Sequence, residues 1–198
     1  MTPISPAAAP PQQIYVIRHG EKPGDSRKTD FGVDVDGAHD AHALLPRGWQ
    51  RSGALAVLFA PTAGPLRAGL RTPTALYSPD YGSPDSTRGH RTHQTIEGLA
   101  DLLGLPINTF CAEDKPTELA AAVLADTSEV VLICWDHKHI PAIGTALPTI
   151  PDTRIPAWPA DRFDMTWSFT RRSATSSAAY DFSQIPQRLL AGDSDAVF

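Results

Sequence analysis

Residues Gln12 to Pro23 read QQIYVIRHGEKP, and an unbroken apolar run, Ile14-Tyr15-Val16-Ile17, stops there at Arg18-His19-Gly20. A run that is apolar throughout, rather than alternating, marks a strand covered on both faces. Its end delivers a cation, an imidazole and a glycine to the rim of a sheet. In sheets built from alternating strands and helices, ligands bind at that rim.

The rest of the chain supplies the alternation. PRGWQRSGALAVLFAP reads as a helix: Pro46 suits a first helical position, and Leu45, Trp49, Leu55, Leu58 and Phe59 share a face. PTALYSP gives a short strand. RTHQTIEGLADLLG gives a second helix, with Ile96, Leu99, Ala100 and Leu103 at i, i+3, i+4 and i+7 and Gly104 as its stop. LPINTF is a third, weaker strand signal, KPTELAAAVLAD an Ala-rich helix, EVVLICW a β-branched buried strand and HIPAIGTAL a short helix. RFDMTWSFT alternates, which predicts a strand with Phe163, Met165, Trp167 and Phe169 inside and Asp164, Thr166 and Ser168 outside. The pattern predicts an α/β domain, a three-layer α/β/α sandwich around a mainly parallel sheet. That domain is expected over 13–170, with a disordered tail over 1–12 and a C-terminal tail or packing segment over 171–198.

Composition narrows the function classes. A chain of 198 residues is long enough for one large domain, and its net charge of −5 argues against general binding to nucleic acid or anionic membrane. No apolar segment approaches a membrane span, and the opening MTPISPAAAPPQQ lacks the cationic and apolar regions of a signal peptide. The two cysteines, Cys111 and Cys134, are too few for a disulfide framework. A cytoplasmic protein is expected.

Phosphoryl transfer needs a nucleophile, cations for the phosphoryl oxygens and an acid for the leaving oxygen. A neutral imidazole at a strand end can attack phosphorus. Arg18 beside it, and Arg91 at the head of a later helix, carry planar forks that match phosphate oxygens. Gly20 removes a side chain where backbone and substrate come close. EVVLICW runs directly into Asp136-His137, so the topology can bring a second histidine to the same rim.

At these residues the chain resembles the histidine phosphatase superfamily, which includes the phosphoglycerate mutases and histidine acid phosphatases. RHGEKP is similar to the family's Arg-His-Gly signature. LLPRGWQRSGAL, RTHQT and VVLICWDHKHIPAI are similar to its later motifs, in the family's order and across nearly all of Ile14 to Phe169. The resemblance implies a phosphoglycerate mutase-like fold and a nucleophile, His19, that becomes phosphorylated. It implies that Arg18 and Arg91 grip the phosphoryl group and that His137 donates to it, with no metal and no cofactor. The expected ligand is a small phosphorylated substrate.

The match departs from the family in two places. Many members place a glycine before the second histidine, where this chain has Trp135-Asp136, and His139 stands in reserve for His137. The acid phosphatases place an aspartate directly after that histidine, where this chain has Lys138. The general acid is therefore open among Glu113, Asp114, Glu21 and Asp136. The expected function is hydrolysis of a phosphomonoester through phosphohistidine. The alternatives are a catalytically weak relative that binds a phosphorylated ligand or protein, and a phosphomutase. His39 to His42, His90 to His93 and His137 to His139 invite a metal reading, but no matching cysteine set accompanies them.

Overall fold

The computed structural model describes residues 9–24, 31–80, 82, 90–172 and 179–198. Residues 1–8 of the expected tail, and parts of the segments after Lys22 and Asp80, lie outside them.

Ten elements follow one another along the chain: β1 (Gln13–Arg18), α1 (Pro46–Phe59), β2 (Ala75–Tyr77), α2 (His90–Leu103), β3 (Ile107–Asn108), α3 (Pro116–Ala125), β4 (Val130–Trp135), α4 (Ile140–Ala146), β5 (Met165–Arg171) and β6 (Tyr180–Pro186). The strands form one sheet in the order β3-β2-β4-β1-β5-β6. β3, β2, β4 and β1 run parallel, and β5 and β6 are antiparallel to their neighbours. The sheet is thus mixed rather than mainly parallel. After α4 the chain returns antiparallel beside β1 as β5 and then doubles back as β6.

Both faces of the sheet are covered. Ile14 and Val16 of β1, with Val131 and Ile133 of β4, pack toward Leu119, Ala120 and Val123 of α3 and Ile140 and Ile143 of α4. Tyr15, Ile17, Leu132 and Cys134 pack toward Leu55 and Phe59 of α1 and Ile96 and Leu99 of α2. Every residue of β1 and β4 is buried, as their unbroken apolar runs require. Cys111 and Cys134 are both free and buried.

Strand β5 differs from its expected one-sided pattern. Thr166 and Ser168 are as buried as Met165, Trp167 and Phe169. Ser168 is accommodated by the buried Gln13, whose Nε2 donates to Ser168 Oγ at 2.8 Å and to the Phe169 carbonyl at 3.1 Å. The Thr170 hydroxyl donates to Gln13 Oε1 at 2.8 Å. Gln13 and Ser168 thus enter the interior hydrogen-bonded to each other. Helix α1 shows the same principle: its buried face holds Gly48, Arg51 and Ser52 beside Leu55, Ala56 and Phe59.

The C-terminal residues extend the fold. β6 pairs with β5 along Met165↔Pro186 to Arg171↔Tyr180. The terminal Phe198 ring packs edge-on against Trp158, with centroids 5.4 Å apart. At the other end, the Tyr180 hydroxyl donates to the Pro11 carbonyl at 2.7 Å, and the Gln12 amide to the Glu129 carbonyl at 2.9 Å. Among the described residues, no helix is long and apolar enough to cross a membrane.

Candidate functional site

Parallel pairing of β1 and β4 in register, Arg18 against Trp135, brings both strand ends to one rim. His19 follows the first end and Asp136-His137 the second. The His19 amide extends the ladder by donating to the Trp135 carbonyl at 3.3 Å.

The loop after β1 is held by close backbone packing. A Cβ on Gly20 would lie 3.0 Å from the Gly48 carbonyl oxygen and 3.1 Å from Gly48 Cα; one on Gly48 would lie 2.6 Å from the Glu21 carbonyl oxygen. Gly20 therefore serves the contact with α1, a different reason for glycine from room for a substrate. The Gly20 amide donates to Thr95 Oγ1 at 2.8 Å, and the Thr95 hydroxyl to the Arg91 carbonyl at 2.6 Å. Thr95 of α2 thus ties the loop to the helix that begins near Arg91.

His19 is 3% exposed. Its Nδ1 lies 2.7 Å from the Gly20 carbonyl oxygen, which can only accept, so Nδ1 carries the proton. In the neutral ring that leaves the lone pair on Nε2. Nε2 faces Asp136 Oδ2 at 3.6 Å, and the same oxygen faces His137 Nδ1 at 3.5 Å. Glu113 and His139 close the cluster, with Oε1 and Nδ1 3.4 Å apart. Glu113 is placed by its own backbone, whose carbonyl accepts from Trp135 Nε1 at 3.0 Å.

Arg18 is 1% exposed and lies over the Phe163 ring, 3.7 Å from its centroid. Its Nη1 donates to the carbonyls of Ala160 at 2.5 Å and Arg162 at 3.2 Å. Phe163 also flanks the His19 ring, with centroids 6.0 Å apart. Arg91 reaches the insert instead, donating from Nη2 to the Ala41 carbonyl at 2.8 Å.

Electrostatics separates the acids. Burial alone would raise Asp136, but His19, the Lys138 amide and His137 outweigh it and hold the carboxyl well below its usual range. Burial and the Asp136 charge push Glu113 upward. Burial and the Arg18 guanidinium push His137 downward, so this ring is neutral at pH 7. Glu21 is engaged elsewhere: Arg51 Nη2 donates to its Oε1 at 2.8 Å and Arg47 Nε at 3.0 Å. Burial opposes its ionisation, yet Arg51 and Arg47 hold it below its usual value. Asp114 is exposed.

Of the residues singled out in the sequence, Arg18, His19, Asp136, His137, Glu113 and His139 meet at the rim. The Arg91 side chain points to the insert, with only its backbone carbonyl bonded to Thr95, while Glu21 turns into an ion-pair network with Arg51 and Asp193. Sequence reasoning missed Thr95, Phe163 and Asp193. Only Thr95 left a signal, as part of the RTHQT motif.

No family model matches the chain, and no curated protein matches it. Solved structures do. One is the protein histidine phosphatase SixA complexed with tungstate, at 16% identity and a TM-score of 0.52, covering 88% of this chain and 97% of that one. Another is an Escherichia coli K-12 MG1655 protein assigned as an alpha-ribazole-5'-P phosphatase, at 9% identity and a TM-score of 0.51, covering 91% of this chain and 98% of that one. The chain therefore carries the fold of the histidine phosphatases.

Proposed function

We propose that this chain is a phosphatase that hydrolyses a phosphomonoester through a phosphohistidine on His19, without a metal. The observation that carries the reading is the 2.7 Å contact of His19 Nδ1 with the Gly20 carbonyl. It directs Nε2 of an almost wholly buried imidazole toward a rim that also holds Arg18 and His137. Tungstate, an oxyanion related to phosphate, is bound by a neighbour of the same fold.

In the first step Nε2 attacks phosphorus and the bond to the leaving oxygen breaks. Arg18 and Arg91 donate to the phosphoryl oxygens, and neutral His137 adds an N–H as charge develops there. Glu113 is the acid. Its raised pKa suits it to give a proton to the leaving alkoxide, whereas Glu21 and Asp136 are held ionised. In the second step the Glu113 carboxylate takes a proton from water. The oxygen attacks the phosphohistidine, the N–P bond breaks and phosphate leaves. Fixed guanidinium charges take the part a metal ion plays in other phosphatases.

One observation favours a slower version of this reading. Asp136 Oδ2, 3.6 Å from Nε2, lies close to where phosphorus must approach. An ionised carboxylate there repels a phosphate dianion, which fits a relative that binds phosphorylated ligands and turns them over slowly.

The test is phosphate release from a broad phosphomonoester panel with chelator present, comparing wild type with His19→Ala. Chelator-resistant release that disappears in His19→Ala supports the phosphatase. Binding of vanadate with no release from any substrate supports the binding relative. Release that survives His19→Ala refutes the assignment of the nucleophile.

A further inference from the structure

We propose that the rim also forms a transition-metal site, in which one Zn2+ or a similar divalent ion is held by His19 Nε2, Asp136 and His137. The ligand atoms offered by these three residues all lie within 4.8 Å of one another. The distances are those of an almost assembled site. Zinc bonds of 2.0–2.1 Å at tetrahedral angles place neighbouring ligand atoms about 3.3 Å apart. Asp136 Oδ2 already stands 3.6 Å from His19 Nε2 and 3.5 Å from His137 Nδ1, so small rotations would complete the geometry.

The donor set also fits the ion. Two imidazoles and a carboxylate, with the fourth position open to water or to an anion, suit zinc better than magnesium or calcium, which prefer oxygen alone. His19 has the outer support that ligating histidines require: Nδ1–H donates to the Gly20 carbonyl, which fixes the ring and turns Nε2 inward. His137 Nδ1 is a buried nitrogen that makes no hydrogen bond among the described residues. Coordination would satisfy it.

A second set, Glu113, Asp136 and His139, shares Asp136 with the first. Its side chains are more exposed, 36% for Glu113 and 33% for His139, against 4% for His19 and 14% for His137. Asp136 can complete one centre at a time without bridging, and the drier set is the tighter one, because ion and ligand charges attract most strongly where water is least.

The consequence is inhibition. An ion on Nε2 takes up the lone pair needed for attack on phosphorus. That consequence rests on the phosphatase reading; the binding does not.

The test reads binding without turnover. Chelator-stripped protein is titrated with Zn2+ by calorimetry and with Co2+, whose visible absorption reports four-coordinate nitrogen and oxygen ligation. The expected result is one ion per chain, with affinity reduced on the order of 10²-fold in Asp136→Asn and in His137→Gln, and unchanged in His139→Gln. Circular dichroism establishes that each variant is folded, and His137→Gln serves should Asp136→Asn not be. No binding by the folded wild type, binding indifferent to both Asp136→Asn and His137→Gln, or binding lost in His139→Gln alone would each overturn the proposal.

Discussion

Glu21 and Asp136 are both carboxylates beside His19, one two residues on in the chain and the other 3.6 Å away in space. Their surroundings differ. Glu21 belongs to a closed network. Arg51, itself 1% exposed, donates to Glu21 at 2.8 Å and to Asp193 Oδ1 at 2.8 Å, and a third contact runs from Nη1 to Gln187 at 3.1 Å. Asp136 belongs to an open cluster in which the ion-pair distances are 3.4 to 3.6 Å, too long for good hydrogen bonds. One set of charges is satisfied by the fold and fixes α1, the loop after β1 and the chain near Asp193. The other is gathered at longer distances from one another, an arrangement suited to groups that take up a ligand.

Breaking the closed network should cost the most. Arg51→Ala leaves the Glu21 and Asp193 carboxylates without their buried cation, with only the half-exposed Arg47 beside them, and a loss of about 3–5 kcal/mol in denaturant unfolding is expected. The pH dependence follows from the sign of the shifts. Glu21 and Asp193 both titrate below their usual values in the folded chain, against burial, because Arg51 bonds to them. The unfolded chain binds their protons first, so the network contributes fully above about pH 4 and its contribution fades as acid carries the pH through the folded-state values. Acid unfolding curves of Arg51→Ala should be flatter in that range than those of wild type.

In the open cluster, removing the proposed acid sharpens the contrast. Glu113→Gln should lower kcat on the order of 10²-fold while leaving vanadate affinity nearly unchanged. The wild-type rate should fall as pH rises past the upward-shifted Glu113 value, and this limb should vanish in the variant. Asp136→Asn acts in the other direction: removing a negative charge beside Nε2 should tighten vanadate binding about tenfold, corresponding to roughly 1.4 kcal/mol. An unchanged or weaker affinity would mean that Asp136 supports the anion site rather than opposing it. The smallest effect is expected at Arg47, which touches the same Glu21 oxygen as Arg51 but is 41% exposed. Arg47→Ala should cost no more than about 1 kcal/mol in the same unfolding assay.

The parts of the fold that were legible are those with one dominant physical signal. β1 and β4 are apolar runs because helices cover both sides, and α2 keeps a simple apolar stripe of Ile96, Leu99 and Ala100. β6 was hidden because YDFSQIP lies at a sheet edge, where partial exposure blurs alternation and Pro186 is tolerated. The covered polar face of β5 was hidden because Ser168 depends on Gln13, which lies 155 residues earlier. The same limit applies at the site. His19 and His137 were visible as strand ends. That Glu21 would pair with Arg51, and Arg51 with Asp193, depends on contacts across 30 and 142 positions. No local pattern encodes them.

The central claim is that His19 Nε2 becomes phosphorylated. The most direct measurement mixes enzyme with a turned-over phosphomonoester, quenches within one turnover into alkali, where phosphohistidine survives, and maps the phosphorylated peptide. The account predicts one phosphoryl group on the peptide containing His19, absent from His19→Ala and accumulating to a greater extent in Glu113→Gln when the leaving group is good. Turnover with no label on His19, or label on His137 or His139, would contradict it.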